Sequence, residues 1–387
     1  MRKEGDNVRV TAQLINAATG YHVFSETYYR KLRHLFAIQD EIARAVASRL
    51  QVTLAPAGAA ALGREETVDP EAHVLLLRAM ALSHTAVRAD YAEAIRLLRE
   101  ALRRDPSYAR AHAQLSIVLG WASSSWHRLL PRDVGSREAI EEAHRALALD
   151  SALPDAHFAA GWAADADWNW REAEAQFRRA LELNPSYAPT HERLAMLLMV
   201  LNHIDDGIAE ARRAVELDPL SPLSYSALGN GYLFARRFPE SLRAFSDAEA
   251  LSPTSGILTG SVAIVYCSLR RHEDAARAAA RVRPSGPGDP WPAFMAAYVA
   301  ACSGKRAQAE AALRRLRSFR DTDGAQAIIQ GLLGNTDRAF ALLPGAIAQR
   351  DRYTLDLFLH PELESLRNDP RMSAMLRLVG LPERRSR

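Results

Sequence analysis

Cysteine, lysine and long apolar runs are scarce in this sequence, and each scarcity excludes a class of protein. Only two of the 387 residues are cysteines, so a scaffold held by several disulfides is excluded. Cys267 and Cys302 lie at matching places on successive helical units, which predicts small core or groove residues and favours a reducing, cytoplasmic compartment. No run of about 18 apolar residues is present to span a bilayer. Neither the 20 glycines and 19 prolines nor the 48% hydrophobic content fits a collagen-like or disordered chain, so a folded protein is predicted.

Positive charge is almost entirely arginine, because Lys3, Lys31 and Lys305 are the only lysines. The 49 basic residues are nearly balanced by 46 acidic ones along the same segments, as in residues 171–179. Such mixtures predict solvated helix faces with i,i+4 ion pairs rather than a phosphate-binding stripe, so nucleic acid is not predicted as a partner. The charged residues 1–6 are not followed by an apolar stretch, so no secretory signal is predicted.

A period of 34 residues organises most of the chain. It is clearest in residues 171–185, 205–219 and 238–253, where small residues align. The first column of the repeat contains Ala139, Ala173, Gly207, Ser241, Ala275 and Ala309. The second column, seven residues further on, contains Ala146, Ala180, Ala214, Ala248, Val282 and Leu316. Twelve residues after the first column come Pro185, Pro219, Pro253 and Pro287.

This length and pattern resemble the tetratricopeptide repeat (TPR) over roughly residues 72–350. The resemblance implies units of two antiparallel helices, A and B, with small residues where they cross and a proline that ends helix B. Eight units are counted. An insertion of about 11 residues falls in the loop 121–136, a candidate contact surface, and the unit at Ala339 and Ala346 fits an atypical cap.

Two further stretches resemble a particular kind of TPR protein. DWNWREAEAQFRRALELNPSYAPTH (167–191) and HPELESLRNDPRMSAMLRLVGLP (360–382) look like the TPR half of bacterial regulators that carry a cyclase or CadC-like winged-helix domain at the N-terminus. Residues 7–50 resemble the final hairpin and helix of the TolB-like α/β domain in those proteins. Their pattern predicts a strand, a turn at 18–20, a second strand over 21–28 and a helix stripe. The apolar positions are Val8, Val10, Ala12 and Leu14 in the strand, and Ile38, Ile42, Val46 and Leu50 in the helix.

The predicted fold class is therefore all-α: a TPR superhelix of about eight helix pairs, with a small incomplete α/β segment at the N-terminus. The predicted divisions are a partial TolB-like segment (1–54), a linker (55–70), the TPR array (71–350) and a C-terminal capping segment (351–387). Because a hairpin and one helix are marginal in water, we expect a longer natural protein or completion by a neighbouring polypeptide. The alternative is a truncated form that functions alone.

The concave groove of the array is the predicted working surface, since successive A helices line it. Projecting the groove positions of TPR units onto this sequence gives a largely apolar set with four expected anchors, Trp162, Met199, Phe234 and Tyr298. The full set is Phe158, Trp162, Met196, Met199, Asn230, Leu233, Phe234, Ile264, Trp291, Phe294 and Tyr298. A carboxylate clamp is not predicted, because only Asn230 belongs to the polar residue types that build one. The set favours an amphipathic helix or apolar peptide; alternatively, it packs between repeats or lies under the N-terminal segment.

Other notable residues have a structural interpretation beside a functional one. Trp168 and Trp170 form a packing cluster or an aromatic turn that contacts a partner. The same alternatives apply to the aromatic loop 121–127. His112, His157 and His191 recur at one position of helix A, where they replace a large aromatic residue and lie too far apart for one metal.

Catalytic motifs are absent from the sequence, including phosphate-binding glycine loops, G-x-S-x-G and H-E-x-x-H. No catalytic residue, cofactor or metal is therefore predicted. We expect a non-catalytic scaffold that binds a protein or peptide in its groove. The alternative is the sensory or regulatory half of a bacterial signalling protein, an adenylate cyclase or winged-helix regulator, whose output domain is absent here. Partner identity and oligomeric state are left open.

Overall fold

Helix pairs make up most of the protein, and a small sheet precedes them. The computed structural model describes residues 2–4, 7–15, 22–31, 35–50, 67, 69–83, 88–123, 129–286, 288–351 and 353–382. The predicted turn at 18–20, most of the linker and residues 124–128 of the insertion lie outside the described residues.

The N-terminal segment is a three-stranded antiparallel sheet followed by one helix. Its strands follow chain order, and a bulge lies between Leu14 and Ile15. Val8, Tyr28 and Ile38 are buried together, and Val74 of the first repeat helix packs against them. The predicted hairpin and helix are confirmed, and a further strand pairs with the hairpin. The elements are β1 (Arg2–Glu4), β2 (Asn7–Ile15), β3 (His22–Lys31) and α1 (Leu35–Leu50).

The array contains eight antiparallel pairs within the described ranges, as the predicted TPR superhelix requires. In each pair the even-numbered helix is A and the odd-numbered helix is B. The helices are α2 (Pro70–Ser83), α3 (Arg88–Arg104), α4 (Ala109–Ser123), α5 (Arg132–Leu149), α6 (Pro154–Ala166), α7 (Trp170–Leu183), α8 (Ala188–Val200), α9 (Ile204–Leu217), α10 (Pro222–Phe234), α11 (Phe238–Leu251), α12 (Gly256–Ser268), α13 (His272–Arg281), α14 (Trp291–Cys302), α15 (Arg306–Leu316), α16 (Asp323–Leu332) and α17 (Thr336–Ala348).

The two predicted columns of small residues are buried at every position, which confirms the register of the repeat. Ala173 and Ala180 are both fully buried on α7. Small side chains are required at these positions because the backbones of helices A and B approach closely where they cross. The B helices α7, α9 and α11 each end two residues before the column proline, which cannot extend a helix.

The turn between helices A and B has a left-handed residue that recurs every 34 positions. Trp168, Asn202, Arg236 and Arg270 have φ angles of 60°, 69°, 59° and 56°, and Gly304 continues the series at 73°. In each turn the next N–H donates to a carbonyl near the end of helix A, which satisfies a terminal carbonyl. Since only one of these five residues is a glycine, the turn geometry leaves little trace in the amino-acid composition.

The C-terminal segment does not form a ninth pair. It folds back as short helices, and α18 contacts both α8 and α16, two A helices far apart in the chain. Its elements are α18 (Tyr353–Leu359), a 3-10 turn (Pro361–Leu363), α19 (Glu364–Arg367) and α20 (Arg371–Leu378). Its apolar side chains join the same buried cluster as repeats two to eight.

None of the described helices combines the length and apolar character needed to cross a lipid bilayer.

Candidate protein-binding groove

Most of the predicted groove residues are buried. Only Met196, Asn230 and Phe234 of that set are partly exposed. The buried members are Phe158, Trp162, Met199, Leu233, Ile264, Trp291, Phe294 and Tyr298. Two different surroundings account for their burial: neighbouring A helices and the C-terminal segment.

Trp162 packs between adjacent A helices. Its ring centroid lies 4.6 Å from that of Trp121, and the guanidinium of Arg193 lies 3.7 Å above the ring. A side chain at Gly120 would meet the indole, since a Cβ there would lie 2.4 Å from its Nε1 atom. This predicted anchor therefore joins α4, α6 and α8 to one another, as the packing interpretation expected.

An ion pair beside Trp162 links the same two units. Arg193 Nη2 lies 2.7 Å from Asp165 Oδ2, and the side chains are only 11% and 3% exposed. Neither residue is conspicuous in the sequence, where both look like ordinary helix-surface charges. Buried charges are tolerated when paired and hydrogen-bonded, so this pair fixes the position of α8 on α6.

The C-terminal segment covers the other half of the groove with aromatic contacts. Tyr353 lies over Trp291 and Phe294, with ring centroids 6.3 and 5.2 Å apart. His360 lies between Phe234 and Tyr298, at 5.9 and 6.3 Å. A cover from the N-terminal segment was one expectation from the sequence, whereas here the cover comes from the C-terminus.

Polar contacts fix the segment along its length. Glu362 accepts a hydrogen bond from Ser268 of α12, and Glu364 lies 2.7 Å from Arg236 at the end of α10. The indole Nε1 of Trp170 donates to the Val379 carbonyl at 2.7 Å. Trp168 stacks on Trp170 at 6.1 Å. The two tryptophans thus pack within the protein and hold the end of the C-terminal segment.

The two cysteines form a disulfide, which corrects the sequence-based interpretation. Cys267 at the end of α12 is bonded to Cys302 at the end of α14. The two positions are 35 residues apart, one residue off the 34-residue period, and the stacking of the two successive A helices brings the sulfur atoms into bonding contact. A reducing compartment was inferred from unpaired cysteines, and the disulfide removes that ground.

Removing this disulfide should lower the free energy of unfolding. The bond closes a loop of 35 residues, for which loop-closure entropy gives about 4 kcal/mol. We expect that loss for Cys267→Ala with Cys302→Ala, or after a dithiol reductant, in urea titrations followed by circular dichroism. The double variant is its own control, because reductant should not change its midpoint. Two freely titrating thiols in unreduced parent protein would contradict the prediction.

The three column histidines connect structural elements through hydrogen bonds. In each, Nε2 faces a carbonyl six residues earlier, and Nδ1 faces a side chain on helix B of the same unit. For His191 these partners are the Pro185 carbonyl at 3.0 Å and Glu210 Oε2 at 2.5 Å. The predicted packing role extends to a hydrogen-bonding one. No group of three or more potential metal ligands occurs among the described residues.

His191 should make stability depend on pH. Both ring nitrogens face acceptors, so both bonds form only in the protonated ring. Burial lowers the pKa of His191, but the hydrogen bond and charge of Glu210 and the Pro185 carbonyl outweigh it, and the pKa is raised. These bonds should stabilise the folded state by about 1 kcal/mol. This stabilisation is complete below pH ~6.5, the pKa of an unfolded histidine, and it disappears as pH rises through the raised pKa of folded His191.

Melting curves of the parent and His191→Gln between pH 5 and 9 would check this result. We expect the difference between them to shrink as pH rises. His144→Gln, at an exposed position, should show no such trend. A parent–variant difference that stays constant with pH would contradict the assignment.

These helix pairs, their 34-residue register and their crossing columns give the described part of the chain the fold of a TPR solenoid. No protein-family model matches the chain. The curated sequence "Putative adenylate cyclase 3" of Rhizobium meliloti (strain 1021) is 33% identical over 159 residues, which are 41% of this chain and 27% of that protein. The chain thus spans about a quarter of the length of this relative.

Solved TPR structures resemble the chain at low sequence identity. A tetratricopeptide repeat protein from Parabacteroides merdae ATCC 43184 is 13% identical with a TM-score of 0.46, and 70% of this chain covers all of it. PilF of Pseudomonas aeruginosa is 17% identical with a TM-score of 0.42, over 54% of this chain and 91% of that one. A thermophilic TPR protein of Thermus thermophilus, TTC0263, is 20% identical with a TM-score of 0.42, over 50% and 98%.

Proposed function

We propose that this chain is a non-catalytic scaffold that binds a protein or peptide segment in its concave groove. The observation that carries the proposal is the groove's own contents. The groove holds the C-terminal segment of the same chain. Aromatic rings of the A helices contact Tyr353 and His360. Ser268 donates a hydrogen bond to Glu362, and Arg236 forms an ion pair with Glu364. A surface that holds one short helical segment in this way has the chemistry to hold another.

The partly exposed part of the predicted set is the best place for an external contact. Asn230, Met196 and Phe234 lie on α8 and α10, and the Asn230 amide lies 3.9 Å from the sulfur of Met196. Binding energy would be summed over several repeats, as the solenoid presents equivalent positions side by side. Alanine variants of Trp162 or Tyr298 are poor probes, because both are buried and their loss would destabilise the fold.

A site-specific cross-linker tests the proposal without removing a core residue. A photoreactive residue replacing Asn230 should cross-link a discrete partner in the source cells. The same residue replacing Glu216, exposed on the outer helix α9, serves as the matched control. The same products at both positions, or none at position 230, would contradict groove binding.

A second candidate is a regulatory half of a bacterial signalling protein. It is supported by the stretch that is 33% identical to the putative cyclase and by the packing of the N-terminal sheet on α2. This candidate predicts no cyclic-nucleotide synthesis by the purified chain. It also predicts a larger polypeptide in source cells, measured as intact mass. Synthesis by the chain alone would contradict both candidates.

In both proposals this chain itself binds no nucleic acid, since many of its arginines pair with carboxylates on the helix surfaces. A cytoplasmic location is part of the proposal, although the disulfide is more typical of oxidising compartments. Alkylation of thiols at the moment of cell lysis decides this point. Paired cysteines at that moment would contradict a reducing cytoplasm.

A further inference from the structure

The C-terminal segment packs on its sequence neighbours α16 and α17, as a cap does, and it also runs across several earlier units, as a ligand does. Between Tyr353 and Val379 it meets α14, α10 and α12 in turn, and it ends against Trp170 on α7. A ninth repeat would contact only its neighbour. The segment is therefore an occupant of the groove.

Its recognition chemistry is specific and can be described by position. The aromatic ring of Tyr353 packs against the rings of Trp291 and Phe294. Two carboxylates follow nine and eleven residues later, Glu362 and Glu364, which contact α12 and the end of α10. The segment thus combines one aromatic anchor with a pair of acidic contacts.

Both carboxyl groups are held in the ionised form. Burial raises the pKa of Glu362, but the His360 ring, whose Nδ1 lies 3.8 Å from Oε2, and the hydrogen bond from Ser268 outweigh it, and the pKa is lowered. The hydrogen bond and charge of Arg236 lower the pKa of Glu364. The groove supplies a cation, Arg236, for the Glu364 carboxylate, whereas it offers the Glu362 carboxylate the Ser268 hydroxyl and the cationic partner there is His360 of the segment itself.

The segment has little structure of its own to keep it together. Its α-helices are seven, four and eight residues long. Isolated helices shorter than about 12 residues are marginal in water, so the groove supplies their stability. A partner helix would replace these apolar contacts with similar ones, and exchange exposes far less apolar surface than simple release does.

An open cleft beside the segment provides a first point of contact for a competitor. It has a volume of about 600 Å³ and lies between Pro361 and Glu362 on one side and the ends of α10, α12 and α14 on the other. Arg236, Arg270 and His272 give its wall a basic character, which complements an acidic segment. The guanidinium of Arg236 and the carboxylate of Glu364 are each more than half exposed where they meet.

We infer that residues 351–382 are a built-in ligand of the groove, and that the external partner is a helical segment with the same chemistry: an aromatic residue followed, nine and eleven residues later, by two carboxylates. The inference rests on the proposed function and names the partner class for it. The partner enters at the basic cleft and displaces the C-terminal segment.

The test uses the full chain with a site-specific protease sequence inserted between α17 and α18. Parental helicity and melting before cleavage establish that the insertion is tolerated. After cleavage, a fluorescent peptide of residues 351–382 should exchange into the groove, measured by fluorescence anisotropy. The uncut protein should bind the peptide at least about 100-fold more weakly, because a short tether gives its own segment a millimolar effective concentration.

Variant peptides make the recognition chemistry measurable. Tyr353→Ala with Glu364→Arg should weaken binding at least about tenfold, which corresponds to about 1.4 kcal/mol. Leu378→Ala is the matched control, because Leu378 is 64% exposed, and it should bind like the parent peptide. Equal binding of all three peptides would overturn the assigned contacts.

Other outcomes would also overturn the inference. Loss of helicity on cleavage, or no exchange within a day, would make the segment a permanent part of the core. Equal binding to cut and uncut protein would place the peptide elsewhere. If the peptide exchanges but the cross-linker at position 230 finds no partner, the segment is still a ligand and only the proposed function fails.

Discussion

Replacing Ala180 with arginine should unfold part of the array, at a cost of about 5 kcal/mol. Ala180 is fully buried on α7, in the second column of the repeat, where helices A and B cross. An arginine there either buries an unpaired charge or separates the two helices, and each alternative is among the most costly single changes. Urea titration followed by helical circular dichroism would measure the loss.

Glu182→Arg is the matched control for this substitution. It introduces the same side chain two residues later, at a position whose side chain is 63% exposed and pairs with Arg179. Exposed ion pairs contribute about 0–1 kcal/mol, so the control should lose no more than that. If both arginine variants unfold at the parental urea concentration, the assigned helix crossing is wrong.

Arg193→Met should lower the free energy of unfolding by about 3–5 kcal/mol. The methionine keeps much of the aliphatic stem over Trp162, but Asp165 loses its cationic partner in a site where its carboxylate is 3% exposed. The loss of the cation–π contact adds to the effect. Urea titration at pH 7 would give the value.

A double-mutant cycle separates the ion pair from packing. Asp165→Asn in the Arg193→Met background removes the uncompensated charge, so the double variant should recover a substantial part of the lost stability. Arg178→Met, at an exposed i,i+4 pair with Glu174, is the control and should change stability by less than about 1 kcal/mol. Asp165→Asn alone completes the cycle, and simple addition of the two single effects would show that Arg193 and Asp165 are not coupled.

The repeat register could be predicted because close helix crossing leaves a compositional mark. Ala173 and Ala180 had to be small, and a proline had to follow helix B, so local pattern and global fold agree at those positions. The hairpin and helix of the N-terminal segment were predictable for a similar reason: Val8, Tyr28 and Ile38 follow the periods of a strand and a helix and share one cluster.

The groove was predicted less completely, because equivalent positions in repeats do not have equivalent surroundings. Trp162 and Tyr298 occupy the same kind of position on their helices, yet Arg193 covers one and His360 contacts the other. A repeat projection identifies which side chains face inward. It contains no information about a segment that returns from outside the repeat.

The sequence by itself determined the helix pairs, their 34-residue spacing and the buried columns, because these depend on neighbours within about one repeat. Only the tertiary structure decided the rest. The disulfide between Cys267 and Cys302 depends on how two neighbouring A helices stack, and the contact of Glu364 with Arg236 depends on how superhelical curvature brings together residues 128 positions apart. That curvature is the sum of small rotations between units, and no local pattern encodes the sum.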